Sequence, residues 1–258
     1  MHEILRKLFW VMSTQLGLNP RAFFRSLRGL PRYFMDAIRF SREYNGRLTF
    51  LPCLYDWYEE GGTSNSEYFW QDLHVAQKIN EAKPERHVDV GSRLDGFVAH
   101  IASFRNVEIF DIRPVTPIIP GVTFRQMDLM NPKNLQEAYC DSLSCLHALE
   151  HFGLGRYGDP IDVNGYSSGL SNMAKILRPN GIFYLSVPVG LERVEFNAHR
   201  IFDPMAMRIM AANNGLELRD FAWVEPGSEI STSVDFDADL QTLSKKKYAL
   251  GIFTFIKN

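Results

Sequence analysis

Over the first 45 positions apolar residues recur every three to four places, the period of a helix with one apolar face. The pattern predicts a helix over 3–16 and a second over 20–44, broken at Gly29-Leu30-Pro31, where both glycine and proline disfavour continuation. A strand-like run, Arg47 to Leu51, follows, and residues 59–66 read as a loop from their glycine, serine and acidic content. Helical spacing returns with Tyr68, Leu73, Val75, Ala76 and Ile79, in a helix capped by Ser66 and stopped before Pro84.

From His87 the period shortens. His87 to Gly91, Val107 to Asp111, Val122 to Asp128, Asp141 to Leu146 and Ile182 to Val187 are short apolar runs of strand type. Helical segments at 97–103 and 165–177 lie between them, and Arg178-Pro179-Asn180-Gly181 reads as the turn before the fifth strand. A helix over 204–213, a strand-like stretch over 216–223 and a last strand pattern over 248–256 complete the chain. Strands alternating with helices predict an α/β fold, a mostly parallel Rossmann-like sheet with helices on both faces. The expected division is 1–65 as an N-terminal helical cap segment and 66–258 as the Rossmann-like domain.

Composition narrows this only slightly. With 45% hydrophobic and 22% charged residues among 258, the chain can bury an ordinary core. Three cysteines (Cys53, Cys140 and Cys145), with no CxxC spacing, suggest neither a disulfide framework nor a zinc site, so a cytoplasmic protein without a bound metal is expected. Charge is uneven: residues 1–47 hold nine Lys or Arg against three acids, a balance of +6 within a total of −2. Such an arm can make peripheral contact with an anionic membrane surface, can meet a phosphorylated substrate or nucleic acid, or is a solvated helical face. The apolar stretch from Leu8 to Leu18 is too short to span a bilayer.

The candidate chemistry lies at strand ends, where sheets of this class bind ligands. Gly91 stands at the turn after the first strand, where a missing side chain lets a ligand approach the backbone. Asp111, 20 positions on, ends the second strand, a place from which a carboxylate accepts both hydroxyl hydrogens of an adenosine ribose. Asp128 ends the third, where it could accept from an adenine amine.

In order, Val88-Asp89-Val90-Gly91-Ser92, Phe110-Asp111, Gln126-Met127-Asp128-Leu129, Leu146-His147-Ala148-Leu149-Glu150-His151 and the run Leu177 to Pro188 resemble class I S-adenosylmethionine-dependent methyltransferases. More narrowly, Tyr68 to Leu73 and Gly91 to Phe97 resemble an uncharacterised methyltransferase-like family of nematodes and bacteria. The resemblance covers about residues 65 to 258. It implies a seven-stranded sheet and S-adenosylmethionine as cofactor. Asp89, Gly91, Ser92 and Gly96 match the cofactor loop, Asp111 the ribose acid, Asp128 with Leu129 the adenine edge, and Leu146 with His147 the wall near the methionine part. Arg93 and Asp95 depart from the family's glycines; Arg93 either crowds the methionine moiety or pairs with its carboxylate.

The expected activity is methyl transfer to a hydroxyl of a small polar or sugar acceptor, as in glycan biosynthesis. His151 is the first candidate base, with Glu150 beside it and His199 as a second base; the equal alternative is that Glu150 or His151 serves only to fix the loop. Arg200 is a candidate substrate anchor, Asp203 a helix cap. Tyr55 to Tyr58 and Tyr68 to Trp70 either cover the substrate or pack the N-terminal segment. The alternative is a cofactor-binding scaffold or regulator without turnover. His147 to His151 also fits H-x-x-E-H, but a zinc protease needs that motif on a sustained helix, which the flanking strand and glycines disfavour. Nucleic acid is not an expected substrate, because no Asn-Pro-Pro-aromatic motif follows the fourth strand.

Overall fold

The computed structural model describes every residue except 1–4, 6, 7, 59–63, 65 and 134. The chain forms two compact units, Met1–Thr63 and Ser64–Asn258.

In the first unit residues 8–10 are helical and continue into a π-helical turn, Val11–Gln15; the start of the helix expected over 3–16 lies outside the described residues. Helix α1 (Pro20–Glu43) begins at Asn19, whose side chain accepts from the Ala22 N–H, with Pro20 in the first turn, where its missing N–H has no partner to lose. It runs unbroken through Pro31, contrary to the break expected at Gly29-Leu30-Pro31. One proline forfeits a single backbone bond, and the remaining turns hold the helix together. Gly29 serves packing instead: a Cβ there would lie 1.6 Å from the Leu54 carbonyl oxygen. Residues 47–51 are irregular rather than a strand, since among the described residues of this unit none pairs with them. The loop expected over 59–66 falls mostly outside the described residues.

The second unit is a layered α/β domain. Helix α2 (Glu67–Ala82) leads to β1 (His87–Val90); a π-turn, Leu94–Val98, runs into the short α3 (Ala99–Ala102). Then come β2 (Val107–Asp111), β3 (Val122–Gln126), β4 (Cys140–Leu146), α4 (Gly165–Ile176) and β5 (Leu177–Val189). A two-stranded ribbon, β6 (Arg193–Glu195) and β7 (His199–Ile201), precedes α5 (Pro204–Ala212), β8 (Leu216–Val224), β9 (Ile230–Thr232), α6 (Phe236–Leu243) and β10 (Ala249–Lys257). Ser66 stands at the N-cap of α2, but its hydroxyl makes no capping bond; Asp203 caps α5 by accepting from the Met205 N–H.

The sheet order is β3-β2-β1-β4-β5-β10-β8-β9, with β1 to β5 parallel and β10 antiparallel to both β5 and β8. The sheet has eight strands rather than seven, because β9 adds a three-residue antiparallel edge to β8. The turn expected at 178–181 lies within β5 as an irregularity in its pairing with β4, with Asn180 at φ 61°. Alternation along the strands divides the core. Val88, Val90, Leu143, Cys145, Phe183, Leu185, Phe253 and Phe255 join α4, α5 and α6 on one face. On the other, Ile109, Tyr184, Leu250 and Ile252 pack with Val75 and Ile79 of α2 and Ile101 of α3.

Candidate active site

On the face that α2 covers, β1, β4 and β5 carry a buried polar group, His87, Asp89, Ser142, Ser144 and Ser186, beside the apolar Leu146 and Tyr184. Asp89 sits at the centre. Its Oδ1 accepts from the hydroxyls of Ser92 (2.6 Å) and Ser144 (2.5 Å), and its Oδ2 from the Ser92 N–H (3.1 Å). Ser144 also lies 3.1 Å from His87 Nε2, and having given its own proton to Asp89 it must accept there; His87 Nδ1 then accepts from the Ser142 hydroxyl at 2.8 Å. Burial raises the Asp89 pKa to about 6 despite these donors and lowers that of His87 to about 3. The Ser92 hydroxyl accepts from the Leu146 N–H at 3.2 Å, tying the loop after β1 to the end of β4.

Gly91 opens that loop at φ 70°, and a Cβ there would sit 3.0 Å from the Ala148 side chain. Arg93 and Asp95, at the positions where the family has glycines, bind each other by two hydrogen bonds (3.2 and 2.9 Å) on the surface, and the guanidinium lies 5.1 Å from the centre of the Tyr68 ring. Gly96 is required by packing, since a Cβ would lie 2.6 Å from an Asp72 carboxylate oxygen.

Asp111 ends β2 with its carboxylate held by Arg113. Oδ1 accepts from the Arg113 N–H (2.8 Å) and Nε–H (3.0 Å), and Oδ2 from Nη2 (2.7 Å). Oδ1 is thereby saturated, and Oδ2 keeps one lone pair. Asp128 lies two residues past β3, and its Oδ1 accepts from the Met130 N–H at 2.9 Å; the adjacent Leu129 is buried, and Asn172 of α4 donates to its carbonyl.

Beyond β4 the backbone of His147 takes φ 54°, and Leu149–His151 forms one 3-10 turn rather than the α-helix an H-x-x-E-H zinc site needs. His147 Nδ1 donates to Glu150 Oε1 at 2.9 Å; Nε2 lies 3.3 Å from Glu67 Oε1, an ion pair without hydrogen-bond alignment. The Tyr68 ring stacks on the imidazole at 4.5 Å, and the Tyr248 hydroxyl donates to Glu67 Oε1 at 2.6 Å. Burial alone would lower the His147 pKa, but Glu150 and Glu67 outweigh it and raise it to about 9. Burial likewise opposes ionisation of both carboxylates, and His147 nevertheless holds both below the usual range. Glu150 is 1% exposed, and its Oε2 has no hydrogen-bond partner among the described residues.

His151 Nδ1 lies 2.8 Å from the Ala198 carbonyl oxygen and 3.4 Å from Arg156 Nη1, which donates to that carbonyl at 2.7 Å. The shorter contact, to an oxygen that can only accept, favours the tautomer with the proton on Nδ1 and the lone pair on Nε2. Burial lowers the His151 pKa, and Glu150 Oε1 lies 3.6 Å from Nε2. His199, on β7, is 3.9 Å from Glu195 and is also lowered by burial. Arg200 is not a surface anchor: it is buried, with its guanidinium donating to the Glu150 (3.3 Å) and Phe152 (2.6 Å) carbonyls, and so clamps the 149–152 turn.

Glu67, Gln71, Asp72 and Tyr248 were not expected in this region. The first two turns of α2 set Glu67 and Tyr68 against His147, Gln71 against Ser186 of β5, and Asp72 against Gly96. Their signal in the sequence is the polar series Glu67, Gln71, Asp72 on the buried side of an otherwise apolar-faced helix.

The family described as Caenorhabditis protein of unknown function, DUF268, matches residues 122–250. No curated protein sequence matches the chain. Among solved structures, the [4+2]-cyclase SpnF superposes with a TM-score of 0.51 at 13% identity, over 71% of this chain and 80% of that one. A protein proposed to be a sarcosine dimethylglycine methyltransferase, from Galdieria sulphuraria, gives 0.50 at 13% identity, over 72% and 85%. The 1,6-didemethyltoxoflavin-N1-methyltransferase of Burkholderia thailandensis, solved with S-adenosylhomocysteine, gives 0.48 at 16% identity, over 93% and 90%. The domain has the class I methyltransferase fold, and that fold carries a cyclase as well as methyltransferases.

Proposed function

We propose that this chain, a member of the DUF268 family, is an S-adenosylmethionine-dependent methyltransferase acting on a hydroxyl of a small polar or sugar acceptor. The residues fit the cofactor. Gly91 turns the chain at φ 70° after β1, where a Cβ would press on Ala148. Asp111 presents a carboxylate at the end of β2, and Leu129 and Leu146 are buried apolar residues just past β3 and at the end of β4. In this reading Asp111 takes the ribose, Asp128 with Leu129 the adenine, and the Asp89–Ser92 bonds hold the loop in shape. Arg93 exchanges Asp95 for the methionine carboxylate, a charge-assisted contact. When bound, the cofactor supplies an electrophilic methyl group on a sulfonium.

The observation that carries the catalytic part is His151. The Ala198 carbonyl favours the tautomer with its lone pair on Nε2, and it is neutral at pH 7, the properties of a general base. Nε2 removes the acceptor's hydroxyl proton, and the resulting imidazolium is stabilised by the Glu150 carboxylate 3.6 Å away. His199, also neutral at pH 7, is the second candidate. Single-turnover transfer from labelled cofactor to a panel of hydroxyl and sugar acceptors tests this. His151→Ala should lower transfer by about 10²–10⁴-fold while leaving S-adenosylhomocysteine binding intact; unchanged transfer excludes His151 as base.

The Arg93–Asp95 pair, where glycines are expected, favours a second reading: a cofactor-binding regulator without turnover. Binding with no transfer to any acceptor in the panel would select it.

A further inference from the structure

We infer that α1 is an in-plane membrane helix that docks this protein on an anionic lipid surface. The inference is independent of the methyltransferase reading. At 100° per residue, the 24 residues of α1 separate into three stripes. One holds Phe23, Phe24, Leu27, Phe34, Met35 and Ile38, a sector about 120° wide whose last turn also carries Ser41 and Arg42. Each of these six side chains is between 45% and 68% exposed. The second holds Arg21, Arg25, Arg28, Arg32 and Arg39, all within about 60° of one another along the helix flank. The third holds the buried Gly29 with the half-buried Ala22, Ser26, Tyr33 and Ala37, and packs on the chain around Leu54.

The helix therefore packs on its own unit mainly through small residues and Tyr33, and leaves most of its large apolar side chains, Phe40 among them, in water. Six arginines against Asp36 and Glu43 give it a charge of +4, in a protein whose total is −2. No described helix is long and apolar enough to cross a membrane, and this one, with eight charges, lies along a surface instead. An apolar sector this wide, on a convex helix about 36 Å long, matches the plane of the headgroup–acyl boundary. A protein groove takes a narrower stripe of i, i+3, i+4 and i+7 anchors. The arginine row lies roughly 100° from the apolar centre, where side chains of this length reach lipid phosphates. Arg21, Arg28 and Arg32 lie over the rings of Phe9, Tyr58 and Trp57, and Arg32 also pairs with Asp36, so these three meet phosphate by exchanging those contacts. Charge complementarity thus selects the occupant: an anionic bilayer.

Flotation of the full chain with vesicles tests the inference, using pure phosphatidylcholine against the same lipid with phosphatidylserine added. The wild type should float with the anionic vesicles and bind neutral ones at least about tenfold less, and added salt should weaken the binding. Phe24→Ser with Phe34→Ser, and separately Arg21→Glu with Arg39→Glu, should each lower anionic binding by about tenfold or more. Because all four side chains face solvent, circular dichroism should confirm that both variants fold. Failure of the folded wild type to float, or flotation unchanged by both pairs of substitutions, overturns the proposal. So does a self-associated species that Phe24→Ser with Phe34→Ser converts to monomer without any lipid binding, which would make a second copy the occupant.

Discussion

Tyr248 donates its hydroxyl to Glu67 Oε1 at 2.6 Å, joining the start of β10 to the first turn of α2 across 181 positions of sequence. The same oxygen lies 3.3 Å from His147 Nε2, so the tyrosine helps keep Glu67 anionic opposite the imidazolium. Tyr248→Phe removes the donor and keeps the ring. The loss should cost about 1–3 kcal/mol, the range for a hydrogen bond to a charged group, read from urea unfolding at pH 7.

Stability should also depend on pH through His147. Its pKa is 6.5 in the unfolded chain and about 9 in the folded one, so the native state holds the proton more tightly. The contribution is complete below pH 6.5 and is lost as pH rises through 9. His147→Gln should flatten the fall in unfolding free energy between those limits, measured as the difference from wild type across a pH series. Asp89, raised to about 6, shifts the balance in a separate window: its contribution is complete below pH 3.8 and is lost as pH rises through 6. Asp89→Asn should remove that second slope and leave the first.

Gly91→Ala places an L side chain at φ 70° and puts its Cβ 3.0 Å from the Ala148 side chain. The backbone conformation alone should cost about 1–2 kcal/mol, visible as a lower melting temperature. If the loop after β1 holds the cofactor as proposed, its displacement should also shrink the stabilisation that S-adenosylhomocysteine confers.

Arg113 is expected to compete with the ribose. It saturates Asp111 Oδ1 and uses half of Oδ2, and its guanidinium lies over the Tyr157 ring at 4.4 Å, so the ribose must displace both its side-chain bonds. Arg113→Ala leaves Asp111 with no guanidinium to displace and should bind S-adenosylhomocysteine severalfold more tightly by calorimetry. Weaker binding would show that the arginine contributes to the bound state.

What the sequence made legible was local. A glycine after β1 and acids at or near the ends of β2 and β3 are marks of short runs read one at a time, and the sheet places them together along one edge. Alternating strands and helices likewise sufficed for the parallel half of the sheet. Pairings between distant segments were not legible. Glu67 reads as an ordinary first-turn acid until Tyr248 and His147 meet it, and Ser144 reads as a strand serine until it faces Asp89. The same limit explains the errors: Arg47 to Leu51 has a strand's composition but no partner among the described residues, β9 is an edge too short to show a period, and Gly29 looked like a helix breaker because its contact, Leu54, is 25 residues away. Arg200 read as an anchor because nothing nearby in sequence reveals that two loop carbonyls bury it.

The central claim is that the carboxyl edge of β1 to β4 binds S-adenosylmethionine through Asp111. Calorimetric titration of S-adenosylhomocysteine into the wild type and into Asp111→Asn addresses it most directly. One site per chain in the wild type, weakened by about tenfold or more in Asp111→Asn, is the expected result. No binding to the folded wild type, or equal affinity in both proteins, would contradict it.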